Sequence, residues 1–429
     1  MFITTKTLKR EAKRTSGVPA KACQMESLED RVLMSTWYVS NNGSNSAAGT
    51  INAPLLTLKA AVAEAKAGDT ISLRGGSYKG GVTINRPNIT VKSYAGEKAY
   101  ITADWRDTSV QTNITFGMDA SGGKLLRLDI AGGNYYAVKL NSNWDSGDPN
   151  IRGASNILIK GNRIHDSGDH MIKITPDCNK VTVRGNEIWN PGLVSPERGM
   201  AVDSVQANYL LVEDNYVHDG MSNGIYSKGG AIGVIIQNNR VENFRYSGIL
   251  LGQSSDENWF DTTKNPNYYE NIDGTVRNNV ITNVGGAGIG AWAALRPVIV
   301  NNTIINAGQQ GMFSGLLIQA QEHYPVAGPL AGQNVFVPST NVTMRNNIVV
   351  MDPSSTRPAL SIRANGLTGS LKMSNNLYFQ AGKKVKISDE VHGYSGGLTG
   401  WQALGHDKGS VQRTPIRSSM RGAGRGAIL

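Results

Sequence analysis

At 429 residues the chain could hold two or three ordinary domains, but 50 glycines, many asparagines and almost no long amphipathic periodicity exclude a mainly helical protein. No run of 18 apolar residues occurs, which argues against a transmembrane helix. The net charge of +10 is concentrated at the ends: residues 1–35 carry seven Lys/Arg against four acids and residues 383–429 carry eight against three, leaving about +2 on the body. That distribution reads as two solvated basic tails, gives no reason to expect a nucleic-acid partner, and argues only weakly for an acidic one.

In chain order, residues 1–35 form a basic leader without the apolar core of an ordinary secretory signal. Its Cys23 and the later Cys178 lack both the number for a disulfide framework and the spacing of a metal site, so both are expected to be unpaired, Cys178 as a turn or core thiol. Next comes a short amphipathic helix, expected from about Leu56 to Ala67, placed to cap the strands downstream of it. From there a repeat governs the sequence: "ILIKGNRI", "VTVRGNEI", "LLVEDNYV", "VIIQNNRV", "GTVRNNVI", "PVIVNNTI", "VTMRNNIV" and "LKMSNNLY". Their asparagines, Asn162, Asn186, Asn215, Asn239, Asn279, Asn302, Asn347 and Asn376, are separated by 24, 29, 24, 40, 23, 45 and 29 residues. A period of 23 or 24 with insertions fits every interval.

Apolar residues stand three places before and two places after each asparagine, so the alternation reverses across it: strand, tight bend, strand. A third, glycine-led strand precedes each unit ("HMIKI", "GMAVDS", "NGIYSK", "SGILLG", "AGIGAW", "GMFSGLL"). Three short strands per coil, repeated, describe an all-β, parallel β-helix over residues 36–380. One coil cannot bury its own apolar residues, hence the expected helical cap and a tail or cap over 381–429.

The repeat separates scaffold from chemistry. Asp214 falls in the bend column, and Asp166 and Asp219 fall in a column otherwise filled by Asn190, Asn243, Asn283 and Asn306, so both "HD" pairs read as turns rather than metal ligands. Lys228 stands in a glycine-led strand, eleven places before Asn239, where Thr175 and Ser204 are the counted equivalents. Alternation turns Tyr226 and Lys228 outward, with Lys173, Asp203 and Trp292 on the same strip. Two insertions begin directly after glycine-led strands and border this face; the first brings Asp256, Asp261 and Glu270 together with Trp259 and Tyr268. Tyr226, Trp292, Trp259 and Tyr268 are therefore expected to bind sugar rings, and acids of the insertion are candidates for Ca²⁺.

The stretch from Tyr38 to Tyr78, followed by asparagine-marked coils, resembles right-handed parallel β-helix proteins of the pectate-lyase-like superfamily, over roughly residues 37–380. The eight residues "LEDRVLMS" (Leu28 to Ser35) resemble the LEPR-xLL motif of exported bacterial surface proteins, with Asp30 in place of its proline and Met34 in place of a leucine. These resemblances imply a secreted or cell-surface protein, expected to be monomeric, acting on an acidic polysaccharide. The leading expectation is a lyase that cleaves a uronic-acid polymer by β-elimination. In that chemistry Lys228 is the base, Lys173 or Arg245 orients the uronate, and Asp203, Asp256 and Asp261 are the candidate calcium ligands. Lyases of this fold often place an arginine on the groove strand one coil after the lysine; here that strand, "SGILLGQ", has none. A non-catalytic glycan-binding protein and a glycoside hydrolase are the alternatives.

Overall fold

The computed structural model describes residues 34–144, 150–311, 313–325 and 330–415. Cys23, most of the basic leader and its export-like motif lie outside them. In the described residues, strands stack coil upon coil into three long sheets of 12, 15 and 12 strands, with neighbours parallel almost throughout. One coil illustrates the rule. Ile225–Lys228 lies in the first sheet, Ile235–Gln237 in the second and Arg240–Phe244 in the third, and each pairs with its equivalent in the next coil.

Period-two alternation places one column of each strand inside. Ile172, Val202, Ile225, Ile249, Ile289, Leu316 and Leu360 follow one another in register through the first sheet, all fully buried. Burying each such side chain contributes on the order of 1.5–3 kcal/mol, and the stack makes that burial continuous.

The paired bend residues divide the work of the turn. The first takes the left-handed conformation, as in Asp214, Asn238, Asn278, Asn301, Asn346 and Asn375 with φ of 55–57°. The second is buried and forms a ladder: Nδ2 of Asn162, Asn186, Asn215, Asn239, Asn279, Asn302 and Asn347 each donates to Oδ1 of the next at 2.9–3.2 Å. Asp166 and Asp219 likewise sit at φ 61° and 54° within an Asn/Asp column, as turn residues. His165, Trp189 and His218 stack on one another beside them.

The N-terminal cap is a helix over Leu58–Glu64, shorter at both ends than the pattern predicts. Thr57 stops it upstream by accepting Ala60 N–H at 3.2 Å, and extended backbone at Ala65 stops it downstream. At the other end the first sheet runs past residue 380: Ile387–Asp389 pairs in parallel with Leu360–Ile362, and Tyr394–Gly396 folds back antiparallel. Helix Leu398–Ala403 then sets Trp401, fully buried, against the last coil. This closing segment changes element every few residues, so no single periodicity marks it in the sequence.

Candidate sugar-binding groove

The outward face of the first sheet is read directly from its register. Lys139, Lys173, Asp203, Tyr226 and Leu250 form one outward column. Val205 and Lys228 pair in the next outward column, into which Trp292 also falls through Ala291, Leu251 and Ser227. Ser204 pairs with Ser227, so counting back from the asparagine misplaces the partner of Lys228 by one residue, because the bend after Val205 is one residue shorter. The position still imposes no requirement for lysine.

Asp203 is the electrostatic centre. It is 1% exposed, and its Oδ2 accepts from Lys173 Nζ at 2.5 Å and lies 3.0 Å from His170 Nε2. Burial alone would raise its pKa, but Lys173, then His170 and Lys228, outweigh it and hold the carboxyl well below its ordinary range. His170 is pushed down to about 4 by burial, against the pull of Asp203, so its ring is neutral near pH 7. That ring stacks on Tyr136 at 5.7 Å between centroids, and burial, followed by Asp203, pushes the Tyr136 phenol up to about 12.

Lys228 ends its strand half-buried, donating from Nζ to the Ser254 carbonyl at 2.7 Å. Its ammonium lies 5.2 Å from the Tyr226 ring centroid and 5.7 Å from that of Trp259. Burial lowers its pKa; Asp203 and Glu270 oppose that, and Lys173 reinforces it. The amine therefore becomes neutral at lower pH than a free lysine does.

Both insertions dock beside it. Glu270 is fully buried, accepts from Gly229 N–H at 2.7 Å and Ser255 Oγ–H at 2.6 Å, and is pushed up to about 7 by burial. His323 of the second insertion, also fully buried, lies between Glu257 at 3.3 Å and Glu270 at 3.5 Å. Phe260, Tyr268, Ala293 and Val337 pack around this contact.

The structure corrects several sequence expectations. Tyr226 is only 3% exposed, its ring enclosed with Leu250, Ala287 and Leu317 in an apolar cluster on the outer face, so it cannot stack on a sugar. Tyr268, 1% exposed, meets Phe260 edge-on at 5.3 Å and holds the insertion down instead. Asp256 caps a 3-10 turn by accepting Asn258 N–H at 3.0 Å, and Asp261 closes its own turn through Thr263 and Lys264. With Asp203 held by Lys173, these three carboxylates do not converge, and among the described residues no group of three His, Cys, Asp or Glu could hold a metal. The expected calcium ligands thus do not fit Ca²⁺. Arg245 is exposed, its guanidinium 5.6 Å over Tyr246, and among the described residues it makes no salt bridge. It precedes the groove strand Ile249–Leu251, whereas Lys228 ends one.

Trp259 and Trp292 remain half-buried, and neither indole N–H has a hydrogen-bond partner among the described residues. Sequence reasoning missed His170, Tyr136 and the Glu270–His323 contact. His170 opens the strand segment "HMIKI" and Tyr136 lies one coil earlier, in a strand separated from its Asn162 mark by residues 141–157, so only register, with Val138 beside Ile172, reveals that both lie near Asp203.

Fold and groove together define the class: a right-handed parallel β-helix protein with a cationic site on its first sheet. The family described as "Right handed beta helix region" matches residues 130–264. Within the class, a 79-residue stretch is 44% identical to pectate lyase PEL9 of Emericella nidulans, spanning 16% of this chain and 19% of that enzyme's length. Among solved structures, XylC in complex with xylose superposes with a TM-score of 0.57 at 12% identity, covering 88% of this chain and 86% of that one. Pectate lyase Pel9A superposes with a TM-score of 0.50 at 13% identity, covering 80% and 79%. At such identities the structural likeness is one of fold.

Proposed function

We propose that the protein is an extracellular polysaccharide lyase that cleaves a uronic-acid-containing chain by β-elimination, with Lys228 as base. The observation that carries this reading is the half-buried Lys228 amine, its pKa lowered by burial, on a groove face one register step from the Lys173–Asp203 pair. The short match to a pectate lyase supports the same chemistry.

In the reaction, neutral Lys228 accepts the proton from C5 of the uronate. The electron pair left on C5 forms the C4=C5 bond as the C4–O4 bond breaks, and the departing O4 takes a proton from the lysine ammonium just formed. The Lys173 ammonium, fixed by Asp203, offsets the charge of the uronate carboxylate and so favours loss of the C5 proton. A two-carboxylate hydrolase is less well supported, because Asp203 and Glu270 are 1% and 0% exposed.

The test is incubation with pectate, alginate and glycosaminoglycans, following the ultraviolet absorbance of unsaturated uronate. The expected result is unsaturated product from one of these classes, lost with Lys228→Ala. Reducing ends without unsaturation, or full activity of Lys228→Ala, would sink the reading.

A further inference from the structure

The second insertion forms an antiparallel hairpin, Gln321–His323 with Val335–Val337, and its two faces differ. Alternation sends His323, Val335 and Val337 toward the first insertion, where His323 and Val337 are buried and Val335 packs alongside. The opposite face carries Glu322, Tyr324, Asn334 and Phe336, with Glu322 directly across from Phe336. Tyr324 and Phe336 are 59% and 54% exposed, among the most exposed aromatic residues described. Folding gives no reason for such rings on a solvent face.

The polar groups between them are arranged as well. Tyr324 Oη–H donates to Glu322 Oε1 at 2.7 Å, and Asn334 Nδ2 donates to the same oxygen. Among the described residues Oε2 accepts no hydrogen bond and is left to an incoming donor. The Tyr324 and Asn334 bonds hold the carboxyl below its ordinary range, so it is ionised near neutral pH. An aromatic surface beside an ionised acceptor suits a sugar with an apolar C–H face and free hydroxyls, and it disfavours a second carboxylate. The hairpin is also continuous with the groove wall: Tyr324 N–H donates to Glu257 at 2.8 Å, and Glu257 opens the turn that places Trp259 beside Lys228.

The geometry points to a distal subsite on this hairpin, formed by Tyr324, Phe336, Glu322 and Asn334, that takes a neutral, hydroxyl-rich pyranose. The inference rests on the reading of the groove as polysaccharide-binding and adds that the bound chain is mixed, with a uronate near Lys173 and Lys228 and a neutral sugar at the hairpin.

Calorimetric titration of the full chain with xylo-, galacto- and gluco-oligosaccharides, and with oligogalacturonate, tests it in wild type, Phe336→Ala, Glu322→Gln and Lys228→Ala. At least one neutral oligosaccharide should bind wild type and Lys228→Ala equally and Phe336→Ala about tenfold more weakly, a change of about 1.4 kcal/mol. Oligogalacturonate should bind Phe336→Ala as it binds wild type, and should gain affinity in Glu322→Gln. The proposal is overturned if no neutral oligosaccharide distinguishes wild type from Phe336→Ala, or if oligogalacturonate loses as much affinity as the neutral probes. Because neutral binding is read in Lys228→Ala too, failure of the lyase chemistry alone would leave this result intact.

Discussion

Lys228 must shed a proton before it can accept one, and this sets a pH signature. Its pKa lies below that of a free lysine, chiefly through burial, so the neutral fraction, and with it kcat/KM, rises with pH and levels off earlier than for an exposed lysine. Lys228→Ala should reduce kcat by about 10²–10⁴-fold, the usual contribution of a general base, with little change in KM. A rate profile that shows no rise with pH before its plateau, or an unchanged kcat, would count against the assignment. The sequence could single out Lys228 because subtracting the repeat leaves it unexplained, and alternation alone sends it outward. It could not separate Trp259 from Tyr268, or Trp292 from Tyr226. All four are aromatic and near the groove, but which rings stay open depends on the outer clusters around Leu250 and Phe260, built from coils and insertions far apart in the chain.

At the scale of elements, the two insertions are joined by buried ionisable groups rather than by strand pairing. Glu270, with a folded pKa of about 7 against an ordinary 4.5, favours the protonated form in the folded state. Its stabilising contribution is therefore complete below about pH 4.5 and declines as pH rises toward 7. His170, pushed down to about 4 from 6.5, acts in the opposite sense over a similar range, so the wild-type profile alone would mislead. The difference between Glu270→Gln and wild type isolates the effect: the variant's melting temperature should gain on the wild type as pH rises from about 5 to 8. A constant difference would mean that Glu270 titrates normally. Insertion boundaries are legible because the asparagine period breaks there, at intervals of 40 and 45 residues. The Glu257–His323–Glu270 contact is not, since it joins residues 66 and 53 positions apart with no repeat to align them.

Across the whole molecule, the solenoid makes stability a local property. Each coil contacts mainly its neighbours, so damage at one point should not spread evenly. Asn239 lies mid-ladder: its Nδ2 donates to Val212 O and Asn279 Oδ1, while its Oδ1 accepts from Asn215 N–H at 3.1 Å and Asn215 Nδ2 at 2.9 Å. Asn239→Ala leaves the buried Asn215 N–H and Nδ2 without their acceptor and takes a donor away from Val212 O and Asn279 Oδ1, and should cost about 2–4 kcal/mol, measured by chemical denaturation. Its effect on hydrogen exchange should centre on the coils holding Lys228. Trp401→Ala removes a fully buried ring at the far end and should cost a similar amount, about 3–5 kcal/mol. Its consequences should differ in place: faster exchange in the strands around Leu360–Ile362 and Leu377–Gln380, with protection at Ile225–Lys228, and activity, retained. Uniform loss of protection in both variants would show that the coils unfold as one cooperative block. Localised loss would show that the groove is stabilised by its own few coils, with the caps guarding only the ends.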